Sequence, residues 1–291
     1  MATQKKFYHT DTEKKLKAIE NYLQRYLMVF KYQQNIETIY IDAFAGSGSM
    51  PIPSEHGFFT EHAEKEDFVI GSAVRAMQLG QRFTRYVFIE ENRAKLNELR
   101  NVLEQENTTG AKLEFIHGNA NVEVLKLCPH LSKANVRAAV FLDPFGNQVG
   151  WSVLKALADT KHVDLWYLFP AFVGVYRQIG NQNAKMTPEQ VASLNHLFGP
   201  HDWHSAFIKR ENKPDLFGDN EMQIKIADVE DITRYKIKCL KTIFAGGVSD
   251  NWLPLGRKGA HWYSLIFAMA NPTPAATKIG HAMANHIMTR R

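Results

Sequence analysis

The stretch Thr38-Ile39-Tyr40-Ile41-Asp42-Ala43-Phe44-Ala45-Gly46-Ser47-Gly48 runs a β-branched segment into an acid and then into a Gly-x-Gly turn. β-Branched and aromatic residues suit a strand, and glycine lets the chain turn sharply and bring its backbone close to another group. The same design recurs downstream. Tyr86–Glu90 ends on an acid, Lys112–His117 runs into Gly118-Asn119-Ala120, and Ala138–Leu142 runs straight into Asp143-Pro144-Phe145-Gly146. Val163–Phe169 makes a fifth apolar run. Helical spacing fills the intervals at about Gly71–Leu79, Arg93–Glu104, Val122–Leu127 and Ser152–Asp159. Strands alternating with helices predict an α/β fold, a doubly wound and mostly parallel sheet covered on both faces.

The flanks extend this unit. Thr10 and Glu13 match a capping box, and Leu16, Ile19, Leu23, Tyr26, Leu27 and Phe30 recur at helical spacing, which predicts a basic helix within residues 1–32. Residues 49–70 read as a loop. Residues 171–245 are polar, with Gly199-Pro200 and Lys213-Pro214, and read as a helical insertion with few clustered apolar residues. Trp252–Leu255 and His261–Met269 flank Gly256-Arg257-Lys258-Gly259 as a C-terminal β-hairpin, and Pro274 starts a last helix with Ile279, Met283 and Ile287 on one stripe. Residues 1–291 are expected to form a single domain.

Composition excludes several classes. With 291 residues, 45% hydrophobic and 22% charged, the chain has an ordinary globular make-up rather than that of a disordered polymer. Its apolar runs fall short of the roughly 18 residues that cross a bilayer, and the basic, polar start lacks a signal-peptide core. Two cysteines, Cys128 and Cys239, are too few for a disulfide framework or thiolate cluster. A cytoplasmic protein without a membrane partner is expected. Lys and Arg number 35 against 30 Asp and Glu. The surplus concentrates in residues 1–32, with seven Lys or Arg against three acids, and in 232–260, with six against one. Two basic segments on one face would attract nucleic-acid phosphate, whereas apart they are solvated helix faces.

Ligands of open α/β sheets sit beyond the carboxyl ends of the strands. Here those ends carry Asp42, Glu90, Asn119 and Asp143. The turn Asp42-x-Phe44-x-Gly46-x-Gly48 is no P-loop, because no Gly-Lys-Ser/Thr follows, and it lacks the third glycine of G-x-G-x-x-G. A nicotinamide-dependent oxidoreductase is thereby disfavoured. Glu90 has the chemistry to accept both hydroxyls of a ribose, and Asn119 carries the donor and acceptor that an adenine edge needs, or serves as a turn residue. At the fourth strand end, Asp143 beside the rigid carbonyl of Pro144 suits the orientation of an exocyclic amine, with Phe145 to stack on its ring. The alternative for Asp-Pro-x-Gly is plain turn chemistry. His201-x-x-His204 lacks a third ligand and reads as loop histidines, as do His56 and His62. Trp203, Trp252 and Trp262 read as packing residues, and Arg257-Lys258 as a soluble hairpin tip with phosphate contact as the alternative.

Tyr40-Ile41-Asp42-Ala43-Phe44-Ala45-Gly46-Ser47-Gly48, Phe88-Ile89-Glu90 and Phe141-Leu142-Asp143-Pro144-Phe145-Gly146 resemble the three-Cys-motif partner proteins, a bacterial family with class I methyltransferase-like architecture. Gly71-Ser72, Leu197-Phe198-Gly199 before Trp203, and Trp262-Tyr263-Ser264-Leu265 extend the resemblance over most of the chain. Asp143-Pro144-Phe145-Gly146 is also similar to the corresponding motif of tRNA guanine-N2 methyltransferases. The resemblance implies S-adenosylmethionine as cofactor and a separate three-Cys-motif protein as partner. By class I motifs it implies that Asp42, Phe44, Gly46 and Gly48 hold the methionine and ribose side, Glu90 the ribose hydroxyls and Asn119 the adenine, while Asp143, Pro144 and Phe145 face the acceptor. Methyl transfer to a nucleic-acid base amine is the expected activity. The alternative is a non-catalytic module that docks the partner.

Overall fold

The computed structural model of the protein describes residues 2–51, 68–107, 110–179, 186–215, 218–256 and 260–289. His56, His62 and the Arg257-Lys258 tip lie outside the described residues. The long helix α1 (Ala2–Phe30) leads into β1 (Glu37–Asp42). There follow a short antiparallel pair, β2 (Ser49–Pro51) and β3 (Phe68–Ile70), then α2 (Ser72–Met77) and β4 (Arg85–Glu90). Next come α3 (Arg93–Glu106), β5 (Lys112–His117), α4 (Ala120–Leu131), β6 (Val136–Leu142), α5 (Trp151–Asp159) and β7 (Val163–Phe169). A π-helical turn (Ala171–Tyr176) precedes α6 (Pro188–Phe198), α7 (Trp203–Phe207), the hairpin β8 (Ile208–Asp215) and β9 (Gly218–Lys225), and α8 (Val229–Lys241). The chain closes with β10 (Leu253–Leu255), β11 (Tyr263–Met269) and α9 (Pro274–Thr289).

Seven strands form one sheet in the order β10-β11-β7-β6-β1-β4-β5. β1, β4, β5, β6 and β7 are mutually parallel, while β11 runs antiparallel to both β7 and β10. The expected doubly wound sheet and C-terminal hairpin are both present. Because successive strand residues point to opposite faces, each central strand feeds two cores. Ile39 and Ile41 face a core that α4, α5, α6 and α8 complete. Tyr40, Tyr86, Phe88, Phe141, Trp166 and Phe267 face another, closed by α1, α2, α3 and α9.

Three expectations change. The helix predicted from Thr10 begins at Ala2, so Thr10 lies inside it, and Glu13 instead forms an ion pair with Arg75 of α2. Residues 49–70 are not loop throughout, since both ends pair as β2 and β3. Residues 171–245 are neither wholly helical nor poor in core. They hold the β8–β9 hairpin, and Leu194, Leu197, Phe198, Trp203, Phe207, Ile232, Ile237 and Leu240 are buried against the sheet. Those residues are scattered over short elements and meet only in space.

The basic segments also part company. α1 covers one face of the sheet and α8 the other. The two segments approach one another at the sheet edge, where Asp11 accepts the Gly256 amide at 3.2 Å. A single basic face made from both helices is therefore not what folds.

Candidate active site

The strand order switches between β1 and β6: the chain leaves β1 for β4 and β5 on one side and returns to β6 and β7 on the other. Connections diverge at such a point and leave a crevice beyond the carboxyl ends. The predicted site residues all stand at this end, on the tips of β1, β4, β5 and β6.

The glycine turn needs its glycines. Gly46 and Gly48 have φ of 62° and 83°. A Cβ on Gly46 would meet nothing within 4 Å, whereas one on Gly48 would lie 2.8 Å from Leu99 Cδ1. Left-handed backbone costs roughly 1–2 kcal/mol for a residue with a Cβ. Gly48→Ala, which adds the contact with Leu99, is expected to lower the unfolding free energy by at least that much in a denaturant titration. Gly46→Ala carries the backbone cost alone.

Asp42 holds this turn from inside. Its side chain is fully buried, accepting hydrogen bonds from Ser72 Oγ at 2.5 Å, Tyr40 Oη at 3.3 Å and the Phe44 amide at 3.3 Å. Burial pushes its carboxyl up to about 6 against the pull of the Ser72 hydrogen bond, and the charge of Asp143 pushes the same way as burial. Phe44 packs half-buried against the core on the aliphatic face. Ser72 is a partner that the strand-end pattern did not single out, although Gly71-Ser72 marks the helix start.

Glu90 ties the turn to the next strand. Its Oε2 accepts the Gly46 amide at 3.0 Å and its Oε1 the Asn92 amide at 2.8 Å. Each carboxylate oxygen has a second lone pair, so two acceptor sites remain for a diol. Asn119 is the N-cap of α4: its Oδ1 accepts the Asn121 amide at 3.0 Å. Asn121, which the sequence pattern did not flag, bonds from Nδ2 to the Gln148 carbonyl at 2.7 Å and accepts the Gly150 amide at 2.8 Å. The start of α4 is thereby fastened to the loop after β6.

That loop carries Asp143. Asp143 is half-buried, and Lys15 of α1 donates to its Oδ2 at 2.5 Å. Pro144 is buried, whereas Phe145 is 81% exposed and its amide donates to Gln148 Oε1 at 2.7 Å. Tyr263 of β11 has its phenol pushed up by burial and by the Asp143 charge, which puts β11 beside the same carboxylate. Lys15 was legible in principle: Ala18, Ile19 and Tyr22, the three, four and seven positions after it, are all buried, so it lies on the inward stripe of α1.

The structure thus brings Asp42, Gly46, Glu90 and Asp143 to one edge, with Asn119 fastened to them through Asn121. Other sequence candidates have packing partners. His201 stands edge-on to Trp151, and buried Trp203 donates from Nε1 to Asn195 Oδ1 at 2.9 Å. Two clefts, one beside Arg137, His162 and Asp164 and one beside Lys31, Arg82 and Thr84, open at the amino end of the strands, away from these carboxylates.

No family model matches the chain, and no curated protein does. Solved structures do. A protein of Legionella pneumophila aligns over 94% of this chain and 92% of its own, at 11% identity and a TM-score of 0.48. Trm1 from Pyrococcus horikoshii, solved with S-adenosyl-L-methionine, aligns over 93% of this chain and 57% of its own, at 10% identity and 0.47. An S-adenosylmethionine-dependent methyltransferase from Clostridium acetobutylicum covers 85% of this chain and 91% of its own, at 11% identity and 0.34. Similarity at this level assigns no residue a role.

Proposed function

We propose that this protein binds S-adenosylmethionine at the β1–β4 edge and transfers its methyl group to a base amine of nucleic acid, as one domain working with a separate three-Cys-motif protein. The observation that carries the cofactor is the Gly46–Glu90 hydrogen bond, which holds a glycine turn open beside a carboxylate with acceptor capacity to spare. When bound, S-adenosylmethionine supplies an electrophilic methyl on a sulfonium. Glu90 would accept the ribose hydroxyls, the Gly46–Gly48 turn would lie along the methionine side, and Asn119 would meet the adenine. Asp143 would accept a hydrogen of the acceptor amine and so aim its lone pair, with exposed Phe145 stacked on the acceptor ring. The partner and the nucleic-acid acceptor follow from the sequence resemblance.

One observation favours the non-catalytic alternative: Lys15 already neutralises Asp143. The two readings separate in one pair of measurements. Calorimetric titration with S-adenosylmethionine is expected to show binding that weakens more than tenfold in Glu90→Ala, because two hydrogen bonds to a charged group are lost together. No binding of the cofactor would remove the methyltransferase reading. If binding is present, Asp143→Ala is expected to abolish product while leaving that affinity nearly unchanged.

A further inference from the structure

We propose that the cleft at the amino end of β1 and β4, beside the end of α1, is a second ligand site that takes a small phosphate monoester, of the size of a sugar phosphate, at Lys31 and Arg82. It stands apart from the strand-end carboxylates. Thr38, on the wall of this cleft, and Asp42 lie four residues apart on β1, about 13 Å along the strand.

Four arginines among the described residues are half-buried, and three of them have acceptors. Arg75 pairs with Glu13 and Glu20, Arg85 pairs with Glu114, and Arg137 donates to the carbonyls of Ala134 and Val136. Arg82 is the exception. Among the described residues its guanidinium forms no ion pair or hydrogen bond, and its Nη1 is closed off from solvent without an acceptor. Leaving the donors of a charged group unpaired is costly, so an anion brought beside Arg82 gains more than it would at a guanidinium already paired.

Charge and size select the occupant. Lys31 and Arg82 both line the cleft, and no Asp or Glu does among the described residues. A phosphate monoester carries nearly two negative charges at neutral pH, which matches two cations, whereas each phosphate of a nucleic-acid backbone carries one. The cleft has a volume of about 310 Å³. That is the lower end of the range for small-molecule sites, roughly 300–1,000 Å³. Gln34 and Gln81 on its walls offer amide donors and acceptors, which suit the hydroxyl groups of a sugar.

α1 ends at this cleft, and a helix C-terminus by itself favours cations over anions. Its last carbonyls are taken up by the turn that follows it. The Met28 carbonyl accepts the Lys31 amide at 3.5 Å, the Val29 carbonyl accepts Gln33 Nε2 at 3.0 Å, and the Phe30 carbonyl accepts the Gln33 amide at 2.9 Å. Neither the Lys31 ammonium nor the Arg82 guanidinium serves these carbonyls, so capping the helix does not account for the two cations.

The test is calorimetric titration of the whole chain with ribose 5-phosphate at low salt, with ribose as the uncharged control. The wild-type protein is expected to bind the ester and not ribose. Arg82→Gln is expected to weaken binding about tenfold or more, because charge-assisted hydrogen bonds are lost. Lys31→Gln, at an exposed position that the fold does not depend on, is expected to weaken it about threefold, the scale of an exposed ion pair. Glu90→Ala is expected to bind the ester as the wild type does, and a loss there would put the ester at the strand-end carboxylates and overturn the site. Equal affinity in wild type and Arg82→Gln, or no binding by the wild type, would overturn it as well. Displacement of the ester by a 5′-hydroxyl single-stranded RNA, all of whose phosphates are diesters, would overturn the monoester as occupant.

Discussion

Raising the pH from about 7 to about 10 is expected to stabilise this protein by roughly 3 kcal/mol through one residue, Lys236. Its side chain is fully buried on α8, with Nζ donating to the Leu197 carbonyl at 2.6 Å among the rings of Trp151, Tyr167, Phe169 and Phe198. Burial pulls its ammonium down to about 7 from the usual 10.5, with Cys239 pushing weakly the other way. Between those values the unfolded chain binds the proton and the folded one does not, so folding grows more favourable as pH rises. Asp42 and Asp164, raised by burial to about 6 and about 7, contribute with the opposite slope, and their contributions fade by about pH 7. Buried cysteines and tyrosines with raised values oppose the rise near its upper end. The clean measurement is the difference between wild type and Lys236→Met across this range. The variant is expected to be the more stable protein at pH 7, by about 2 kcal/mol after the cost of an orphaned Leu197 carbonyl, with the gap closing toward pH 10. A gap that does not change with pH would show that Lys236 keeps its proton in the fold.

Lys15→Met is expected to cost about 2 kcal/mol, and the double variant Lys15→Met, Asp143→Asn to recover most of it. Removing one partner of a largely buried ion pair strands the other charge, which costs about 3–5 kcal/mol when fully buried and less here because Asp143 is partly exposed. Asp42 across the strand gap adds like-charge repulsion once Lys15 is gone. An exposed pair would couple by about 0–1 kcal/mol. A double-mutant cycle by chemical denaturation decides: coupling below that bound would mean that Lys15 rests on Asp143 without holding it. Strong coupling would make α1 a structural part of the strand-end edge that carries Asp143, anchored also by Arg75 to Glu13 and Glu20.

Much of this was legible before folding. The central strands are buried on both faces and so appear as continuous apolar runs, and the edge acids end those runs, which fixes their common side. What escaped was whatever depends on two distant segments. Lys15 and Lys236 sit in phase with buried stripes, Ala18–Ile19–Tyr22 and Ile232–Thr233–Leu240, but nothing local says what a buried ammonium will meet. Asn121 and Asn147 are ordinary polar residues until the loops they fasten are adjacent. Trp203 is buried packing, as its apolar surroundings imply, while Trp252 and Trp262 are half-exposed and stacked on His261 and Phe172. The insertion shows the same limit, since its core residues are too sparse in sequence to announce a shared layer.

The two outer strands of the sheet have a consequence for self-association. β10 is only three residues long with Pro254 at its centre, and a proline has no amide to offer a new neighbour. β5, the opposite margin, carries Lys112, Glu114 and His117, with Glu114 ion-paired to Arg85 of β4. Short, proline-bearing or charged margins are poor templates for edge-to-edge strand addition, the step that begins ordered aggregation. This fold is guarded against that step at both margins of the described sheet, so association by way of side chains on its helices or its loop-bearing rim is favoured over lengthening the sheet.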